Sequence, residues 1–131
     1  MSETHAQDPA AGPLIFLIDD DRLLLDVARL GLEAEGYVVE TAASGAEALA
    51  KLAGRLPALI VLDLEMPRMS GLALLERLKG HRRLKAIPVV VVTASALGVD
   101  AQAALRLGAA RYLLKPMQPA DLLNHIKALI G

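Results

Sequence analysis

A run of four apolar residues, Leu59-Ile60-Val61-Leu62, leads directly into Asp63, and Leu64-Glu65-Met66-Pro67-Arg68-Met69-Ser70-Gly71 follows. This stretch constrains the fold more than any other. A strand buried on both faces reads as a continuous apolar run, because neither side of its pleat meets water. Proline fixes φ and glycine tolerates conformations closed to other residues, so Pro67 and Gly71 mark a loop. Asp63 therefore sits where a buried strand gives way to a loop. In an open α/β sheet that edge is where ligands bind.

The same arrangement recurs along the chain. Leu14-Ile15-Phe16-Leu17-Ile18 runs into Asp19-Asp20-Asp21. A helix is expected from about Arg22 to Glu35, with Arg22, Asp26, Arg29 and Glu33 as one solvated stripe and Gly36 as its stop. Tyr37 to Ala42 reads as a second strand. Ser44, with Glu47 three residues on, has the pattern of a capping box opening a helix that runs to about Arg55. After the Asp63 loop, Ser70 or Gly71 opens a helix to about Lys79. His81-Arg82-Arg83-Leu84-Lys85 is read as a solvated connection, with a basic docking patch as the alternative. Pro88-Val89-Val90-Val91-Val92 is a strand ending at Thr93. An alanine-rich helix lies between Thr93 and Gly108, starting near Leu97-Gly98. Arg111 to Leu114 forms a fifth strand before Lys115-Pro116, and a last helix begins around Pro119 with Leu122, Leu123, Ile126, Leu129 and Ile130 on one face.

Five strands alternating with five helices predict a doubly wound parallel sheet with helices on both faces. At 131 residues, 54% hydrophobic and 22% charged, the chain can bury a core without staples. A net charge of −1 gives no reason to expect a nucleic acid or an anionic membrane as partner. The absence of cysteine excludes a disulfide framework, a thiolate zinc site and a thiol nucleophile. No apolar stretch approaches the roughly 20 residues that cross a bilayer. Residues 1–13 read as a flexible lead-in without secretory character, and 14–131 as one domain.

The strand ends deliver Asp19 and Asp20, Asp63, Thr93 and Lys115 to one rim of the sheet. Three gathered carboxylates repel unless a cation intervenes, and carboxylates with a carbonyl and water suit Mg²⁺. A lysine and a threonine hydroxyl beside them would stabilise a phosphoryl group attacked by an aspartate.

On Asp19-Asp20, the Asp63-x-x-Met66-Pro67-x-Met69-x-Gly71 loop, Thr93-Ala94 and Lys115-Pro116, the chain resembles the receiver domain of two-component response regulators over about Leu14 to Gly131. The resemblance implies a flavodoxin-like sheet of order 2-1-3-4-5. It implies that Asp63 accepts a phosphoryl group from a phosphohistidine of a sensor kinase or histidine phosphotransfer protein. Asp20 and Asp63 would ligate Mg²⁺ by side chain and Glu65 by its backbone carbonyl, with Asp19 acting through water or supporting Asp20. Lys115 would pair with Asp63 and then with the phosphoryl group, and Thr93 would hydrogen-bond a phosphoryl oxygen. Tyr112 matches an aromatic switch that turns inward as Thr93 moves, altering partner preference at the face of the fourth helix, fifth strand and fifth helix. A cis bond before Pro116, a cytoplasmic location and pairing of two copies on phosphorylation are further expectations of the same kind.

Plainer readings stand beside these. Asp21, and even Asp20, suits the N-terminus of the first helix through its dipole, and for Asp21 that reading is preferred. Thr93 alone reads as an ordinary strand end, Tyr112 as core, and Lys115 as a turn lysine. Met66 and Met69 read as loop packing. His5, His81 and His125 are not placed to donate a phosphoryl group. Glu65 sets a further carboxylate at the mouth of the site, so Glu65→Asn is expected to change phosphoryl lifetime. Four functions compete: a phosphoacceptor in a relay, a receiver-like binding module that works without phosphorylation, an aspartyl phosphohydrolase, and a nucleotide or flavin site. The last two lack, respectively, a second acid–base aspartate two residues after Asp63 and a glycine-rich phosphate loop. The first takes precedence because the whole set of Asp19, Asp20, Asp63, Thr93 and Lys115 is present.

Overall fold

A computed structural model describes residues 12–94 and 98–131, with Val99 described by its main chain alone. The element order is β1 (Leu14–Ile18), α1 (Arg22–Ala34), β2 (Val38–Ala42), α2 (Gly45–Leu52), β3 (Leu59–Asp63), α3 (Gly71–Gly80), β4 (Val89–Thr93), α4 (Val99–Arg106), β5 (Arg111–Leu114) and α5 (Pro119–Ile130). All strands pair in parallel, in the order β2-β1-β3-β4-β5. The expected architecture is thus the observed one.

The continuous apolar runs have a direct cause. Alternate residues of each central strand feed two separate cores. Phe16, Ile18, Ile60, Leu62, Val89 and Val91 pack on one face, against residues of α2, α3 and α4. Ile15, Leu17, Leu59, Val61, Val90 and Val92 pack on the other, against α1 and α5. Every residue of β1, β3 and β4 is buried.

Cap chemistry sets where the helices begin and end. Asp21 accepts from the Leu24 N–H and caps α1, as its plainer reading had it. Gly36 takes φ +97° and donates its N–H to Glu33 O, while the Tyr37 N–H donates to Leu32 O. This paired closure draws Tyr37 into the helix stop, so β2 starts at Val38 and not at Tyr37. Ser44 accepts from the Glu47 N–H, and the Glu47 carboxylate reaches back to the Ala43 N–H at 2.8 Å. That hydrogen bond holds the Glu47 carboxyl below the usual range. α2 ends at Leu52 and does not reach Arg55, because Ala53 and Gly54 close it and Pro57 bars helical geometry at the residue before it. Of the fourth helix's expected start, 95–97 lie outside the described residues; α4 opens after Gly98, at φ +75°.

The polar stripe of α1 faces solvent as expected, with Arg22, Asp26 and Glu33 exposed and Arg29 partly so, but it is not alone there. Leu23, Val27 and Leu30 are exposed at 74%, 52% and 60%, so solvent meets apolar as well as polar residues there. The basic connection after α3 is exposed apart from Leu84, in keeping with a solvated link. Lys79 pins that link by donating to Lys85 O and Ile87 O, and burial lowers the pKa of its ammonium. Of the lead-in, 1–11 lie outside the described residues, and so does His5. Gly12 already donates to Gly36 O, and Pro13 O accepts from the Val38 N–H. Among the described residues no helix is long and apolar enough to cross a membrane.

Candidate functional site

Parallel pairing brings the C-terminal ends of β1, β3, β4 and β5 to one edge. Ile18 lies opposite Leu62, Asp63 opposite Val92, and Thr93 opposite Leu114. Backbone hydrogen bonds extend this ladder past the strands, from the Leu64 N–H to Val92 O and from the Lys115 N–H to Thr93 O, both at 2.9 Å. Asp19, Asp63 and Thr93 are buried, while Asp20 is exposed at the rim.

Carboxylate oxygens of Asp19, Asp20 and Asp63 all lie within 4.8 Å of one another. Lys115 Nζ sits 3.2 Å from Asp63 Oδ1 and 3.3 Å from Asp19 Oδ2. Asp63 Oδ1 also accepts from the Glu65 N–H at 3.2 Å, and Asp19 Oδ1 from the Asp21 N–H at 2.9 Å. Asp63 Oδ2 is buried and finds no hydrogen-bond partner among the described residues. An orphaned buried carboxylate oxygen is costly, and such atoms in native folds have a reason. Burial and then the Asp19 charge push the Asp63 carboxyl up to about 6, against the pull of Lys115. Burial acts to lower Lys115, but Asp19 and Asp63 outweigh it and hold the ammonium above its ordinary value.

The loop after Asp63 is shaped by Gly71. A Cβ there would collide with Asp63 O and Leu64 Cα, so only glycine lets the start of α3 approach the strand end this closely. Met66 is buried and Met69 packs against the same core, which makes both packing residues of the loop. The Lys115–Pro116 bond is cis, as the resemblance implied.

Three carboxylates against one ammonium leave a charge of −2, and every available ligand is oxygen. That donor set and the orphaned Asp63 Oδ2 fit a hard divalent cation such as Mg²⁺.

The structure therefore gathers Asp19, Asp20, Asp63 and Lys115 at one point. Asp19 contacts Lys115 directly, a pairing that sequence reasoning missed. Thr93 and Glu65 meet beside them. The Thr93 hydroxyl donates to Glu65 Oε2 at 2.5 Å and the Ala94 N–H donates to Glu65 Oε1 at 2.8 Å. This use of the Glu65 side chain was also missed: the partners are 28 and 29 residues apart, and no local pattern joins them. Tyr112 stands apart, opposite Val91 and two positions inside the rim, with its side chain outward; at 43% exposure it is not core.

The family model of the response regulator receiver domain matches residues 15–127. The chain belongs to that family. It is 39% identical over 113 residues to a 14.6 kDa protein of Leptolyngbya boryana, covering 86% of each chain. It is 34% identical to the phosphate regulon transcriptional regulatory protein PhoB of Rhizobium meliloti, over 90% of this chain but 52% of that one. It spans about half the length of several such regulators. Among solved structures, the chemotaxis protein CheY4 of Vibrio cholerae superimposes with a TM-score of 0.86 at 29% identity, over 92% of this chain and 100% of that one. A CheY-like receiver domain from Methanospirillum hungatei gives 0.83 at 36% identity, over 90% and 93%.

Proposed function

We propose that Asp63 accepts a phosphoryl group from the phosphohistidine of a sensor kinase or histidine phosphotransfer protein. The observation that carries this reading is the buried, unpartnered Asp63 Oδ2, set at a strand end among two further carboxylates and one lysine. In the transfer an Asp63 carboxylate oxygen attacks phosphorus while the P–N bond to the imidazole breaks. The bonding pair leaves on the imidazole nitrogen, and the phosphoryl group ends as an acyl phosphate. Lys115 balances the Asp63 charge beforehand and then faces the transferred group. Asp20, Asp63 and the Glu65 carbonyl would hold Mg²⁺, with Asp19 supporting them. Bound there, Mg²⁺ supplies positive charge to the phosphoryl oxygens. Thr93 offers its hydroxyl, and its movement together with that of Tyr112 would bias partner binding at the face of α4, β5 and α5. A donor of this kind implies a cytoplasmic location. Catalysis here is limited to the domain's own phosphorylation and dephosphorylation.

Intact mass after incubation with acetyl phosphate and Mg²⁺, for the parent and Asp63→Asn, tests the reading. One adduct that requires Mg²⁺ and disappears in Asp63→Asn is expected. An adduct that survives Asp63→Asn moves the acceptor elsewhere. No adduct from acetyl phosphate or from a phosphorylated histidine protein leaves a binding module that works without phosphorylation.

A further inference from the structure

We propose that the Glu65 side chain is an internal occupant of the seat for a phosphoryl oxygen, and that it has to leave as Asp63 is phosphorylated. This rests on the receiver reading above. The end of β4 presents two donors side by side, the Thr93 hydroxyl and the Ala94 N–H, and one carboxylate takes both, one on each oxygen. A carboxylate and a phosphoryl group offer the same chemistry to such a pair: negative oxygens that accept hydrogen bonds. Glu65 is moreover tethered to the acceptor itself, because its own N–H donates to Asp63 Oδ1. A phosphoryl group on Asp63 would bring anionic oxygens into the neighbourhood that the Glu65 carboxylate holds. Two anions competing for two donors repel, and one has to go. Glu65 has a way out, since the residue is exposed to solvent.

Two consequences follow. Phosphorylation is slowed, because the charge-assisted hydrogen bonds of Glu65 break first. The unphosphorylated domain also already holds Thr93 on an anion, which lessens the change that phosphorylation brings to that residue. Substitution at position 65 leaves the backbone carbonyl in place, so the expected cation ligand is retained.

The test compares the parent, Glu65→Ala, Glu65→Gln, Thr93→Ala and the Glu65→Ala/Thr93→Ala pair. The first readout is the rate of adduct formation with acetyl phosphate at saturating Mg²⁺. Glu65→Ala is expected to gain roughly tenfold, the size set by hydrogen bonds to a charged group. Glu65→Gln, which can satisfy one donor through its single amide oxygen, falls between the two. The gain shrinks several-fold in the Thr93→Ala background, because there Glu65 has lost one of its anchors. An equal gain in both backgrounds would mean that Glu65 acts by charge alone and would overturn the proposal, as would an unchanged rate in Glu65→Ala. The second readout needs no phosphorylation: hydrogen exchange at the Ala94 amide. Protection in the parent that drops roughly tenfold in Glu65→Ala supports the occupant. No difference there removes it. Absence of any adduct on the parent, from acetyl phosphate and from a phosphorylated histidine protein alike, tells against the phosphoacceptor reading, whereas a normal adduct without these differences tells only against the role of Glu65.

Discussion

β3 closes on Asp63 and β5 leads straight into its ion-pair partner Lys115, yet the two strands are built in opposite ways. All of β3 is buried, between β1 and β4 and between both helical layers. β5 lies at the sheet edge; Leu113 alone is partly buried, while Arg111, Tyr112 and Leu114 are exposed. The buried carboxylate is thus held by the most constrained strand, and its counter-ion hangs from one of the least. Local opening free energy follows buried apolar contact, so the two partners sit in regions of unequal stability. The difference teaches where a chemical event can be fixed and where it can be reported. An acceptor needs a position that does not drift; a reporting surface needs one that shifts at low cost.

Substitutions within the two strands put this contrast at risk. Leu62→Ala, at a site with no exposure, is expected to destabilise by about 3–4 kcal/mol in urea unfolding. A loss below that of an ordinary surface change would mean that β3 is not the rigid member. Asp63→Asn should act next most strongly and in the opposite direction. The folded protein holds a proton on Asp63 that the unfolded chain has released between the ordinary 3.8 and about 6, so stability falls as pH rises through that window. In metal-free buffer at pH 7.5 the Asn variant is therefore expected to be roughly 2–3 kcal/mol more stable, with the gap closing near pH 4. Thermal melting across that range checks it, and Mg²⁺ should raise the melting temperature of the parent more than that of the variant. The smallest effect belongs to Leu114→Ala on β5. At 48% exposure it should cost under about 1 kcal/mol. A cost equal to that of Leu62→Ala would erase the distinction between the strands.

Much of this was legible because it rests on local rules. The apolar runs of β1, β3 and β4 announce burial on both faces, and the residue closing each run announces the rim. Asp21, Ser44 and Glu47 carry their cap roles in their spacing. What stayed hidden depends on direction or on distant pairs. Leu23, Leu24, Leu25, Val27 and Leu30 surround much of α1, so periodicity did not show which of them turn from the sheet. The strand boundary at Tyr37 was lost because a helix stop takes one more residue than glycine itself suggests. The reach of Lys115 to Asp19, and of Glu65 to Thr93 and Ala94, joins residues that only the sheet order makes neighbours. Tyr112 matched a position, and a position does not say whether a ring lies in or out.

The strand order has one more consequence, for the assembly of the site in time. Asp63 closes β3 and Asp19 follows β1, its paired neighbour, whereas Lys115 follows the strand at the sheet's far edge, later in the sequence than both acids. During synthesis the two acids emerge well before the lysine that offsets them. Any partly folded chain with β1 and β3 joined but β5 still loose carries the repulsion without its remedy. Docking of β5 sets Lys115 against both acids, which ties one edge of the sheet to its centre through charge.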